Sequence, residues 1–136
     1  MSPLSNGIVI RIVGSMGDCD AWDIVKVPFP YTNRPVQQFR PALVISSISA
    51  TSAPHLLWVL MITSAENRFW PGDIPITDLG EAGLPAPSIV RTTKIATMDK
   101  KVASRIGRLA NKDRDQIIGQ IRELLVPAGV FLSDHS

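Results

Sequence analysis

The sequence predicts a mainly β fold: a compact antiparallel barrel of short strands with one amphipathic helix packed on it. Short apolar runs rich in Val, Ile and Leu recur along the chain, and such runs read as buried strands. Turns rich in proline, glycine and serine separate them too closely for the helical crossovers that parallel strands need. Only the last stretch changes period. There Ile117, Ile118, Ile121, Leu124 and Leu125 fall at helical spacing with charged residues between them.

Taken in order, Ile24-Val25-Lys26-Val27 is a short strand ended by Pro28-Phe29-Pro30, because proline cannot donate to a ladder. Tyr31 to Phe39 is a polar loop. Pro41 to Ser47 and Leu56 to Thr63 are the second and third strands, and Ala65 to Gly72 is a second polar loop. Asp73 to Ile76 reads as a short edge strand, since Pro75 argues against a central one. Asp78 to Pro87 reads as turns. Ser88 to Arg91 is a strand, with extended structure on through Lys94 to Met98 and a further short strand at Ile106 to Leu109. Asn111 or Asp113 is expected to cap the helix, and Pro127 to stop it.

The 136 residues form one domain. It is expected to run over residues 23–127, after an extension (1–22) and before a tail (128–136). Because Met16 precedes Gly17-Asp18, the upstream segment is an extra strand, a disordered extension or a misassigned start. With 14 Lys and Arg against 12 Asp and Glu, the net charge of +2 does not by itself indicate a nucleic-acid binder; the grouping of the cations decides that. One cysteine, Cys19, and two distant histidines, His55 and His135, exclude a disulfide framework and a zinc site. No stretch is long and apolar enough to cross a bilayer, and the run from Ile8 to Val13 is a poor secretory signal. A cytoplasmic setting, with no membrane partner, no metal and no cofactor, is expected.

Three of the apolar runs carry a polar residue at one end: Arg40 before Pro41, Thr63 and Ser64 after Ile62, and Arg91 after Val90. Strand ends border the loops where binding concentrates. Arg presents a planar fork of donors to phosphoryl oxygens, and a hydroxyl adds a donor toward a developing oxyanion. RNA supplies its own nucleophile in the 2′-hydroxyl, so a ribonuclease needs only to align that group and stabilise charge on phosphorus. On pattern alone, the favoured reading of Arg40 is a solvated edge residue, and Thr63 and Ser64 could merely satisfy turn backbone groups. Arg91 could instead pair with a carboxylate such as Asp99, and Lys100, Lys101, Arg105 and Arg108 could be plain solvated charges.

At these residues the chain resembles the MazF/PemK family of bacterial toxins. The resemblance begins at Asp23-Ile24-Val25-Lys26-Val27-Pro28-Phe29-Pro30 and continues through Arg40-Pro41-Ala42-Leu43-Val44-Ile45-Ser46 and Ile62-Thr63-Ser64. It runs on through Gly83 to Arg91, Lys94 to Lys100 and Ile106-Gly107-Arg108-Leu109. The resemblance implies a small SH3-like barrel with a C-terminal helix, usually a homodimer. It also implies a metal-independent, sequence-selective endoribonuclease that leaves a 2′,3′-cyclic phosphate on single-stranded RNA. The active-site Arg and Thr of the family map to Arg40 and Thr63, and a third active Arg to Arg91. The chain departs from the family pattern in having Trp22-Asp23 where Gly-Asp is usual. Thr93 stands where some members have an acid, and the first loop has no histidine, so Glu66 and Asp73 are the candidate replacements as proton donors.

The two polar loops are expected to flank the RNA. Tyr31, Arg34, Gln38, Phe39, Ser64, Arg68, Trp70 and Lys94 are the candidate substrate contacts, with Tyr31, Phe39 and Trp70 placed to stack on bases. The implied partners are single-stranded RNA, a cognate antitoxin and a second copy of the chain, with operator DNA reached only through the antitoxin complex. Two other readings share the fold: a catalytically inactive nucleic-acid- or antitoxin-binding module, and an inhibitor of gyrase acting through its C-terminal residues.

Overall fold

The computed structural model describes residues 19–29, 38–46 and 55–129. Six strands form one antiparallel sheet: β1 (Asp23–Phe29), β2 (Gln38–Val44), β3 (Leu56–Ser64), β4 (Asp73–Pro75), β5 (Ser88–Asp99) and β6 (Ser104–Arg108). Their spatial order is β4-β5-β3-β2-β1-β6, with a short helix α1 (Leu79–Ala82) and the C-terminal helix α2 (Asn111–Leu125). The expected β fold with a C-terminal helix is present, but among the described residues β4 and β6 do not pair and the sheet is not closed.

Both faces of the central strands are covered, which is why they read as continuous apolar runs. Side chains alternate across a strand. Ile24, Leu43, Leu60, Ile62 and Val90 therefore pack on one face with Leu109, just after β6, and Ile117 of α2. Val25, Val27, Ala42, Val44, Val59 and Met61 pack on the other with Cys19, Met98 and Ala103.

The prolines lie where the ladder lacks a partner. β1 continues through Pro28, which pairs with Phe39 of β2, because β6 accompanies β1 only as far as the Lys26–Ser104 pair. Pro41 lies inside β2, not at its start as expected, and pairs with Lys26 on the β1 side. On the β3 side no pair forms beyond Ala42–Met61, and Pro41 has no N–H with which to extend that ladder.

The segment read as turns holds α1. Asp78 caps it by accepting a hydrogen bond from the Glu81 N–H at 3.0 Å, and Gly83 ends it with φ +73°. α1 lies hard against β6: a Cβ on Gly83 would stand 2.0 Å from the Ile106 carbonyl oxygen, and one on Gly107 would stand 2.4 Å from the Ala82 carbonyl.

The expected cap of α2 is not formed. Ala110 occupies the N-cap position and makes no side-chain cap. Asp113 points out of the helix instead and accepts from Thr77 N–H (3.0 Å), Thr77 Oγ1 (2.7 Å) and Asp78 N–H (3.4 Å). This buried carboxylate fastens α2 to the α1 segment. Replacing it leaves those donors unmet, so Asp113→Ala is expected to lower stability by about 2–3 kcal/mol. A urea midpoint equal to wild type at unchanged m would show that Ile117 and its neighbours hold the helix alone.

Trp22, which stands where the resemblance makes glycine the expected residue, adopts the left-handed region, φ 76°. Its N–H and C=O join two strands, donating to Val44 O and accepting from Leu109 N–H, each at 2.8 Å. Its ring packs on the first core cluster, with the Arg114 guanidinium 5.5 Å from its centroid. The backbone turn is thus kept by tertiary contacts where glycine would adopt it freely.

Candidate active site

The β2–β3 register brings the expected pair together. Continued one step past the unpaired Pro41 and Ile62, the Ala42–Met61 and Leu43–Leu60 alignment sets Arg40 opposite Thr63. The two residues stand where the strands have ceased to hydrogen-bond, and both line a concavity on either side of that gap. Arg40 is exposed and donates from Nη2 to Gln38 Oε1 at 3.0 Å.

One concavity, of about 400 Å³, is cationic and aromatic: Arg68, Trp70, Arg91, Lys94 and Phe29 line it with Arg40, Thr63 and Asn67. A bulge in β5 builds it. Ile62 pairs with Val90 while Leu60 pairs with Ile95, so residues 91–94 loop out opposite Met61. Lys94 Nζ comes to lie 4.9 Å from the Phe29 ring centroid and 5.9 Å from that of Trp70.

Arg91 is buried, in contrast to Arg40. Its Cζ lies 3.9 Å from the Trp70 centroid and its Nη2 donates to Arg68 O at 2.6 Å. Its ionic partner is Asp73, opposite it across β4–β5, and not Asp99, which caps the turn at Lys101. The pairing is loose: Nε stands 3.9 Å from Asp73 Oδ2, and neither Nε nor Asp73 Oδ1 has a hydrogen-bond partner among the described residues. Asp73 Oδ2 accepts from Trp70 N–H at 2.8 Å, and Thr92 Oγ1 donates to Gly72 O at 2.8 Å. Arg91, Thr92 and Asp73 thereby hold the loop that carries Arg68 and Trp70.

The second concavity, of about 680 Å³, is mostly apolar. Leu79, Leu84, Pro85, Pro87 and Ile106 line it together with Lys26, Arg40 and Ser64. Among the described residues no acidic side chain and no histidine lines either concavity. Glu66 is exposed at the turn after β3, and the Asp73 side chain is fully covered.

The candidate substrate contacts are therefore divided. Arg68, Trp70 and Lys94 share the cationic concavity, Ser64 the apolar one, and Gln38 reaches the site through Arg40. Phe39 is 62% exposed and lines neither. Tyr31 and Arg34 lie outside the described residues. The sequence reading missed Asn67, whose Nδ2 donates to Thr63 Oγ1, as well as Phe29 and Lys26. Asn67 stood in a polar loop with nothing in the pattern to single it out. Of the cations read as a solvated strip, Arg105 and Arg108 both pair with the buried Asp23, at 3.3 and 3.1 Å.

No described group of histidine, cysteine or carboxylate side chains could hold a metal ion, and no described helix is long and apolar enough to cross a membrane.

Several solved structures share the fold at low identity. MazF from Deinococcus radiodurans superposes with a TM-score of 0.61 at 20% identity, covering 79% of this chain and 96% of that one. A mycobacterial endoribonuclease solved with its cognate antitoxin gives 0.61 at 13% identity, covering 85% and 99%. The Mycobacterium tuberculosis toxin MazF-mt6 gives 0.60 at 18% identity, covering 76% and 96%. No curated protein matches the chain. The family model for PemK-like, MazF-like toxins matches residues 20–125. That span takes in every described strand, both helices and both concavities, and the chain belongs to the PemK-like, MazF-like toxins of type II toxin–antitoxin systems.

Proposed function

We propose that this toxin is a metal-independent endoribonuclease that cuts single-stranded RNA at selected sequences, with the scissile phosphate seated at Arg40 and Thr63. The observation that carries the reading is the juxtaposition of an exposed guanidinium and a strand-end hydroxyl between two concavities of unlike chemistry. The 2′-oxygen of the nucleotide before the cut attacks phosphorus and the bond to the 5′-oxygen breaks. The products are a 2′,3′-cyclic phosphate and a free 5′-hydroxyl. Arg40 neutralises the charge that builds on the non-bridging oxygens, and the Thr63 hydroxyl donates to one of them.

Nucleotides on either side of the cut occupy the two concavities. The cationic one grips the backbone through Lys94 and Arg68 and offers Trp70 and Phe29 to a base, and the apolar one takes a base by packing. Arg91, being buried, contributes positive charge and holds the Trp70 loop.

The toxin acts in the cytoplasm, where its substrate is, and is neutralised by a cognate antitoxin that covers the same arginines. MazE–MazF complexes from Deinococcus radiodurans on this fold support such a partner. Trp58 and Ile95, both more than half exposed on adjacent strands, support a second copy of the chain as an assembly partner. Sedimentation as a monomer at working concentration would remove that part of the reading.

The test is incubation of the purified chain with single-stranded RNA in excess chelator, with analysis of product ends. Cyclic phosphate and 5′-hydroxyl ends at recurrent sites are expected. RNA that is bound but left intact would make the protein a binding module, and cutting only on addition of a divalent metal would overturn the mechanism.

A further inference from the structure

We propose that Asn67 is a positioning residue that fixes which way the Thr63 hydroxyl gives its hydrogen, and so makes Thr63 a donor to substrate. The proposal rests on the ribonuclease reading above. A threonine hydroxyl has one hydrogen to give and two lone pairs to receive with. Left alone, it rotates, and facing a phosphate it gains only when its hydrogen points at an oxygen. With the Asn67 amide turned so that Nδ2 donates into Thr63 Oγ1, one lone pair is filled and the hydroxyl hydrogen is directed elsewhere; turned over, Oδ1 would take that hydrogen, so the proposal assigns the orientation of the amide as well. Among the described residues no acceptor takes that hydrogen.

The local chain holds this arrangement in place. Thr63 is the last residue but one of β3, and the chain turns straight after it. Asn67 N–H donates to Ser64 O at 3.0 Å, and Glu66 N–H to Ser64 Oγ at 3.1 Å. Ala65 N–H donates to Pro87 O at 3.0 Å, tying the turn to the segment that leads into β5. This folds the Asn67 side chain back over Thr63. Arg40, Ile62, Thr63 and Asn67 are the residues common to both concavities, so the amide stands at the point where the phosphate must sit.

Asparagine and aspartate have the same shape but opposite roles at this contact. An ionised carboxylate only accepts. Asn67→Asp would take the Thr63 hydrogen and turn the hydroxyl's lone pairs toward the phosphate, whereas Asn67→Ala would merely free it to rotate. The wild-type amide and the two variants therefore predict a graded series.

The experiment is single-turnover cleavage of a defined RNA at saturating protein, with affinity measured separately on the same RNA carrying 2′-deoxyribose at the cut. Asn67→Asp is expected to slow cleavage about 100-fold and Asn67→Ala about 5-fold, the larger loss matching that of an oxyanion donor. Two readouts separate orientation from the added negative charge. In a Thr63→Val background, Asn67→Asp should cost no further rate, since there is no hydroxyl left to turn. The ratio of Asn67→Asp to wild-type rate should also rise as pH falls through the carboxylate range near about 4, where the protonated acid regains a hydrogen to donate. Cleavage by Asn67→Asp within twofold of wild type, or an equal loss with and without the Thr63 hydroxyl, overturns the orienting role while leaving the ribonuclease reading intact. A wild-type chain that does not cut RNA overturns that reading and this proposal together.

Discussion

Arg40→Ala is expected to cut RNA about 1000-fold more slowly than wild type while folding as well. The loss is set at the upper end of what one oxyanion donor is worth, because the guanidinium brings a full charge as well as its hydrogen bonds. The fold is expected to be spared because the side chain is exposed and bonds only to Gln38 among the described residues. Thermal melting should therefore be unchanged to within about 2 °C, as for surface substitutions generally. Affinity should fall with a signature of its own: the slope of log affinity against log salt should flatten by about 0.7, the value for one lost phosphate contact on a single strand. Arg40→Lys should restore the salt slope more fully than the rate, since an ammonium keeps the charge and loses the fork. Wild-type cutting by Arg40→Ala would place the phosphate elsewhere.

The largest loss of stability should come from two glycines. Gly107→Ala puts a methyl group 2.4 Å from the Ala82 carbonyl and 2.6 Å from Glu81 O, backbone atoms that no rotamer change can withdraw. Gly83→Ala meets the Ile106 carbonyl oxygen at 2.0 Å and must also hold φ +73°. Each requires α1 and β6 to separate, and each is expected to cost about 3 kcal/mol or more. For a domain of this size, that is a fall of roughly 10 °C in melting temperature. A drop below about 3 °C in either variant would show that α1 is a loose flap and not a fixed wall of the apolar concavity.

The legible features were those that backbone periodicity writes directly. Arg40 and Thr63 could be singled out as a candidate pair because each stands at the end of an apolar run and in a motif of the resemblance, and the strand register sets them opposite each other. What stayed hidden depends on contacts between distant segments. Asp113 reads as a helix cap by position, yet Thr77 and Asp78 claim its carboxylate from 35 or 36 residues away. Arg91 looks as accessible as Arg40 in the sequence, but a bulge in β5 turns it inward beneath Trp70. Trp22 looks out of place where the resemblance makes glycine the expected residue, yet it holds the left-handed backbone conformation that glycine adopts freely. Asn67 carries no periodic signal, since its contact with Thr63 comes from a turn that folds it back four residues.

Because Arg40 and Thr63 face each other only through the alignment of β2 with β3, the proposed phosphate seat makes the register of one strand pair a catalytic specification. A slip by a single residue would present Phe39 or Pro41 to Thr63 and exchange the two faces of β2. Such a molecule could be compact and rich in β structure and still be inert. Specific activity would then report the fraction of chains paired in the right register, a quantity to which spectroscopic measures of folding are nearly blind. Deleting one residue within 41–44 should be far more damaging to cleavage than to the amount of β structure.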